Sequence, residues 1–104
     1  MLVSRVNVGK GAEAKTGESL TVNYVGVLYK NGKVFDASWK RKEPFTFTLG
    51  SGVITGWDKG VKGMKVGGRR ELVIPAAEAY GSKGSPPTIP GNEPLVFVID
   101  LLSA

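Results

Sequence analysis

The sequence contains no cysteine and no histidine. Thiol nucleophiles, disulfide frameworks, imidazole acid–base catalysis and the common zinc ligand sets are excluded together. Serines are present, but no histidine can act as their base. The glycine-rich stretches Gly50-Ser51-Gly52 and Lys65-Val66-Gly67-Gly68 match neither a phosphate loop nor a dinucleotide fingerprint. Carboxylates such as Asp36, Glu43, Asp58 and Glu78 lack metal-ligand spacing, so no metal or other cofactor is expected. No apolar run approaches the ~20 residues that span a bilayer, and Met1 to Val8 hold no apolar core of signal-peptide length. A soluble, cytoplasmic chain with no membrane partner is the expectation.

What is present points to a folded, turn-rich chain. Its 104 residues suit one domain, 1–104, and 41% hydrophobic with 22% charged residues argues against disorder. Fifteen glycines and six prolines predict many tight turns and a β-rich fold. The net charge of +5 permits an acidic partner. The basic residues are nevertheless spread along the chain, with Lys40-Arg41-Lys42 the only tight cluster. Solvated faces account for them, and a nucleic-acid partner is not expected.

Leu2, Val6 and Val8 predict a first strand ending at Gly9-Lys10-Gly11. Ser19 to Tyr29 alternates, with Leu20, Val22, Tyr24 and Leu28 on one face. Asn31-Gly32 then predicts a type I′ hairpin turn into a return strand, Val34 to Ala37. Phe45, Phe47 and Leu49 share a face of another strand. Thr55-x-x-Asp58 reads as a capping box opening a helix in which Trp57 and Val61 share a face. That helix is expected to be short, because Gly60 and Gly63 are poor interior residues. Arg69 to Ile74 and Leu95 to Leu102 are further strands, the second apolar on nearly both faces and so expected to be central. Between them lies Pro75 to Pro94, a loop long enough to be functional. The sum is an α+β fold, an antiparallel sheet with one short helix.

Tyr24, Phe35, Phe45, Phe47, Trp57, Tyr80 and Phe97 cluster near element ends. Core packing accounts for any one of them; their positions allow several to meet at one mouth. Tyr24-Val25-Gly26, Val34-Phe35-Asp36-Ala37-Ser38, Pro44-Phe45, Val53-Ile54-Thr55-Gly56-Trp57, Val66-Gly67, Ala79-Tyr80-Gly81 and Leu95-Val96-Phe97 follow in that order. Together they resemble the FKBP family of macrolide-binding peptidyl-prolyl cis–trans isomerases over essentially the whole chain.

The resemblance implies a strongly twisted antiparallel half-barrel wrapped around the short helix, with an apolar pocket between them. It implies Trp57 as the pocket floor and Tyr24, Phe45, Val53, Ile54 and Phe97 as its walls, with Phe35 beside Asp36. Tyr80 would offer its hydroxyl, and Ile54 its amide, to a substrate carbonyl. Asp36 would be held by Tyr24 and paired with Arg41, either as a structural carboxylate or in a direct electrostatic role. Ile89 would cover one side. The implied partners are proline-containing polypeptides and macrolides, bound by a monomer. Three positions depart from the family pattern: a Ser51-Gly52 segment one residue short, Ser85 in place of a common histidine, and Thr88 in place of an apolar residue. A binding module without turnover and an acidic-surface binder are the alternative readings.

Overall fold

A computed structural model of the chain describes residues 1–51 and 54–104. Among them are the strands β1 (Leu2–Asn7), β2 (Ser19–Leu28), β3 (Val34–Ala37), β4 (Phe45–Thr48), β5 (Arg69–Ile74) and β6 (Leu95–Ser103). Two helices, α1 (Ser38–Arg41) and α2 (Thr55–Val61), and a 3-10 turn at Ala76–Glu78 lie between them. The strands form one antiparallel sheet in the order β1-β5-β6-β2-β3, with β4 pairing the other half of β2. The sheet does not close, so it is the half-barrel that the resemblance implies.

The alternation in β2 and β6 produces this arrangement. Leu20, Val22, Tyr24 and Leu28 of β2 are buried, as are Leu95, Phe97, Ile99 and Leu101 of β6, and the intervening residues stay half-buried. Each strand therefore offers one apolar face to α2, which lies across it. Strand β6 is central, between β5 and β2, although its second face is only partly covered. Helix α2 seats close to β5 through Gly56 and Gly60. A Cβ built on them would come within 2.5 Å of the Ile74 side chain and 2.6 Å of the Leu72 side chain. Gly60 is thus an interior helical residue, and its missing side chain is what lets the helix approach.

Three local expectations are corrected. The β2–β3 connection is not a type I′ turn: Gly32 has φ 70° but Asn31 does not adopt positive φ. A five-residue loop joins the strands instead, with the Gly32 amide donating to the Leu28 carbonyl at 2.8 Å. The Asn31 side chain accepts from the Lys33 amide at 2.9 Å rather than lending its backbone to the tighter turn. The capping box does not form either. Ile54 is the N-cap and no side chain caps the helix; the Asp58 carboxylate instead accepts from the Gly50 amide at 2.9 Å, tying the preceding loop to α2. Finally, α1 is a second helix, a single turn closed by Lys42 in the left-handed conformation. Among the described residues no helix is long and apolar enough to cross a membrane.

Candidate functional site

Trp57 is the hub. It is 4% exposed on the buried face of α2, with rings on four sides. Tyr24 lies at 5.1 Å, Phe97 at 5.2 Å, Phe47 at 5.3 Å and Phe45 at 6.0 Å between centroids, each edge to face. This geometry opposes a ring's positive edge to its neighbour's negative face and holds the set more firmly than area burial alone. The indole N–H is buried without a hydrogen-bond partner among the described residues. Trp57 therefore serves here as a flat apolar surface rather than as a donor to the protein.

Around that surface is a cleft of about 260 Å³ lined by Tyr24, Phe35, Asp36, Phe45, Ile54, Trp57, Tyr80 and Phe97. Strand β2 supplies Tyr24, β3 the Phe35-Asp36 pair, β4 Phe45 and β6 Phe97. Phe35 meets Phe97 edge to face at 5.5 Å. Both rings lie over Gly26, where a Cβ would come 2.6 Å from Phe35 Cζ and 2.7 Å from Phe97 Cε1. Gly26 is paired directly opposite Phe97, so a glycine in β2 makes room for this wall. Tyr80, 41% exposed, stands at the rim after the 3-10 turn and makes no side-chain hydrogen bond among the described residues. The Ile54 amide, at the mouth of α2, likewise donates to no backbone carbonyl among them.

The polar corner of the cleft is a three-membered network. Tyr24 Oη donates to Asp36 Oδ2. Arg41 Nη1 donates to Asp36 Oδ1 at 2.5 Å and Nη2 to Tyr24 Oη at 2.9 Å, while its guanidinium carbon lies 5.8 Å from the Tyr24 ring centroid. Burial works to raise the Asp36 pKa, but the hydrogen bonds from Tyr24 and Arg41 and the guanidinium charge prevail, leaving it below the ordinary carboxylate value. Burial, reinforced by the adjoining carboxylate, pushes the Tyr24 phenol up. Bonding to Tyr24 and Asp36 raises Arg41 further still. At neutral pH the corner holds a carboxylate, a neutral phenol and a guanidinium.

Two expected residues lie elsewhere. Arg41 does not line the cleft and reaches it through Asp36 and Tyr24. Ile89 is 3% exposed and belongs to the core cluster, not to the cleft lining. Its amide and carbonyl both pair with Ser85, which folds the long loop inward and carries the side chain into the core. Val53 falls outside the described residues. Ser38, conversely, has a positioning part not foreseen from sequence. Fully buried at the start of α1, its hydroxyl accepts from the Tyr24 amide and donates to Asn23 Oδ1, both at 2.9 Å. A serine after a strand end gives no signal of such a clamp in one sequence. Phe47, read only as a strand-face residue, stacks on Phe45 at 5.7 Å and supports Trp57 from behind.

Among the described residues no group of carboxylates is placed to hold a metal ion. The cleft offers an aromatic surface, a hydroxyl, a backbone amide and one fixed carboxylate.

The model for the FKBP-type peptidyl-prolyl cis-trans isomerase family matches residues 10–102. An FK506-binding protein from Streptomyces anulatus is 54% identical over 97 residues, covering 91% of this chain and 78% of that protein. A probable FK506-binding protein from Corynebacterium glutamicum is 49% identical over 104 residues, 100% of this chain and 86% of the other. Among solved structures, AtFKBP13 superposes with TM-score 0.89 at 41% identity, covering 97% of this chain and 90% of that one. FkpA from Escherichia coli gives 0.89 at 46% identity, with 97% of this chain matched to 46% of the other.

Proposed function

This chain belongs to the FKBP-type family and is a peptidyl-prolyl cis–trans isomerase, and from that premise we propose that residues 1–104 act as one domain turning X-Pro bonds in the aromatic cleft. The observation that carries the proposal is the ring-lined cleft over Trp57, with polar groups confined to its rim and one corner.

The reaction breaks no bond. A peptide C–N bond resists rotation by roughly 18–20 kcal/mol because its resonance is lost at the perpendicular geometry. X-Pro bonds consequently isomerise unaided in tens to hundreds of seconds. Water favours the planar, polar amide over the twisted one, so moving it into an aromatic cleft removes that preference. In this reading Trp57 is the floor beneath the proline ring, with Tyr24, Phe45 and Phe97 as walls and Phe35 beside them. The Tyr80 hydroxyl and the Ile54 amide hold a substrate carbonyl in the rotated state, and interactions specific to that state raise the rate. Asp36, kept charged by Arg41 and Tyr24, stands at the edge of the cleft. Arg41 acts by positioning Asp36, and Ile89 acts from the core by seating the long loop.

The physiological class of substrate is the proline-containing polypeptide, including folding chains limited by X-Pro isomerisation. The same cleft is proposed to accept macrolides, as the names of its FK506-binding relatives record for those proteins. Turnover of an X-Pro tetrapeptide tests the reading. Trp57→Ala should lower kcat/KM at least ~tenfold, about 1.4 kcal/mol of lost transition-state preference. Because Trp57 is also core, Tyr80→Phe is the companion variant; it keeps the ring and removes only the hydroxyl. Undiminished turnover in a folded Trp57→Ala protein would overturn the cleft assignment, and an unchanged Tyr80→Phe would remove the hydroxyl from the mechanism. Rapamycin should inhibit wild type competitively; failure to do so would restrict the cleft to peptides.

A further inference from the structure

Away from the aromatic cleft, the β1–β5 pairing sets Arg5 directly opposite Arg70. Like charges facing each other across antiparallel strands destabilise the pair. The neighbouring arginine shows the usual remedy: Arg69 Nε donates to Asp100 Oδ1 at 2.6 Å, and Nη2 to Oδ2 at 2.9 Å. Neither Arg5 nor Arg70 has such a carboxylate among the described residues.

Arg70 is nevertheless fixed. Its Nη1 donates to the Gly60 and Lys62 carbonyls at the C-terminal end of α2, both at 2.9 Å. A guanidinium has five N–H donors, so the Nε and Nη2 hydrogens remain after that anchoring. Burial first, and then the charge of Arg5, lowers the Arg70 pKa, with Glu13 opposing them more weakly. The group is a held, partly desolvated cation short of a counter-charge.

These residues surround a depression of about 250 Å³, lined by Arg5, Asn7, Lys65 and Arg70 together with the Val8, Gly63, Met64 and Gly68 segments. Three cations and an amide side chain line it, and no carboxylate does. We propose that this depression is a binding site for a phosphate-type oxyanion, free or carried as a monoester, bridged between the Arg5 and Arg70 guanidinium groups and reached by Lys65. Guanidinium forks match the oxygen spacing of phosphate, and charge-assisted bonds of this kind are the strong ones. Cations scattered for solubility would face solvent separately; these two are held in register against each other.

The test is a titration of the whole ¹⁵N-labelled chain with inorganic phosphate at constant ionic strength, using chloride as the balancing anion. Saturable amide shifts are expected at Gly63, Lys65 and Gly68. Arg5→Gln, at an exposed strand position that leaves the helix anchor intact, should weaken the apparent affinity at least ~tenfold, the worth of one charge-assisted hydrogen bond. Lys40→Gln, in the other basic cluster, should not change it. In a parallel arm, N-acetyl-phosphoserine amide should shift the same amides; tighter binding than phosphate assigns a phosphorylated side chain as occupant, and equal binding assigns the free anion. Shifts no greater than those from chloride, or an unchanged affinity in Arg5→Gln, would overturn the proposal.

Discussion

Asp36 shows how one residue's surroundings decide its state. The fold lowers its pKa, so it favours the ionised form, and the associated stability is present above the ordinary carboxylate value of 3.8 and lost as pH falls through the folded value. Acid unfolding of Asp36→Asn should therefore be less steep below that value, measured by circular dichroism against pH. The carboxyl is 39% exposed and Arg41 47%, so solvent screening keeps the energy small. Tyr24 has the opposite sign: its raised phenol favours the protonated form, whose stability declines as pH rises past 10.0. With no histidine in the chain and this corner fixed in charge, kcat/KM should be level from about pH 5 to pH 9. A titration step near neutrality would show that a group outside this corner controls turnover.

At the scale of elements, α2 tests whether local signals or packing place a helix. Thr55→Ala should change stability by less than about 0.5 kcal/mol, because no side-chain cap exists to be lost. Gly60→Ala should cost about 1–3 kcal/mol despite alanine's better helix propensity, since the added methyl meets Leu72 at 2.6 Å. Chemical denaturation of the two variants separates the effects; a stabilised Gly60→Ala protein would mean that α2 can lift from β5 without cost. The helix also carries the Trp57 floor, so a shift of this kind should raise KM for peptide as well. Thr55-x-x-Asp58 misleads as a motif because Asp58 finds a better partner in the Gly50 amide, one that exists only once the loop folds back.

Across the whole molecule, the central strands β2 and β6 join distant parts of the chain, and their inward faces make one core from Leu20 to Leu101. Ile99, paired with Tyr24 and fully buried, sits within it. Ile99→Ala should cost about 2–5 kcal/mol, a large part of the ~5–15 kcal/mol available to a domain. The melting temperature measured by calorimetry should fall accordingly, and a drop of only a degree or two would indicate that the core collapses around the gap. The two pockets lie apart on this framework and share no lining residue.

The strands, the single long loop and the aromatic residues at element ends were determined by the sequence itself, because alternation of period two and glycine–proline punctuation are local properties. The same holds for the missing thiols and imidazoles. Only the tertiary structure decided which polar groups meet. The Ser38 clamp, the burial of Ile89 and the facing of Arg5 against Arg70 each join residues through strand register or loop packing, and no spacing along one chain encodes those distances; the Tyr24–Asp36–Arg41 corner was implied by the family resemblance, and its geometry was set by the fold.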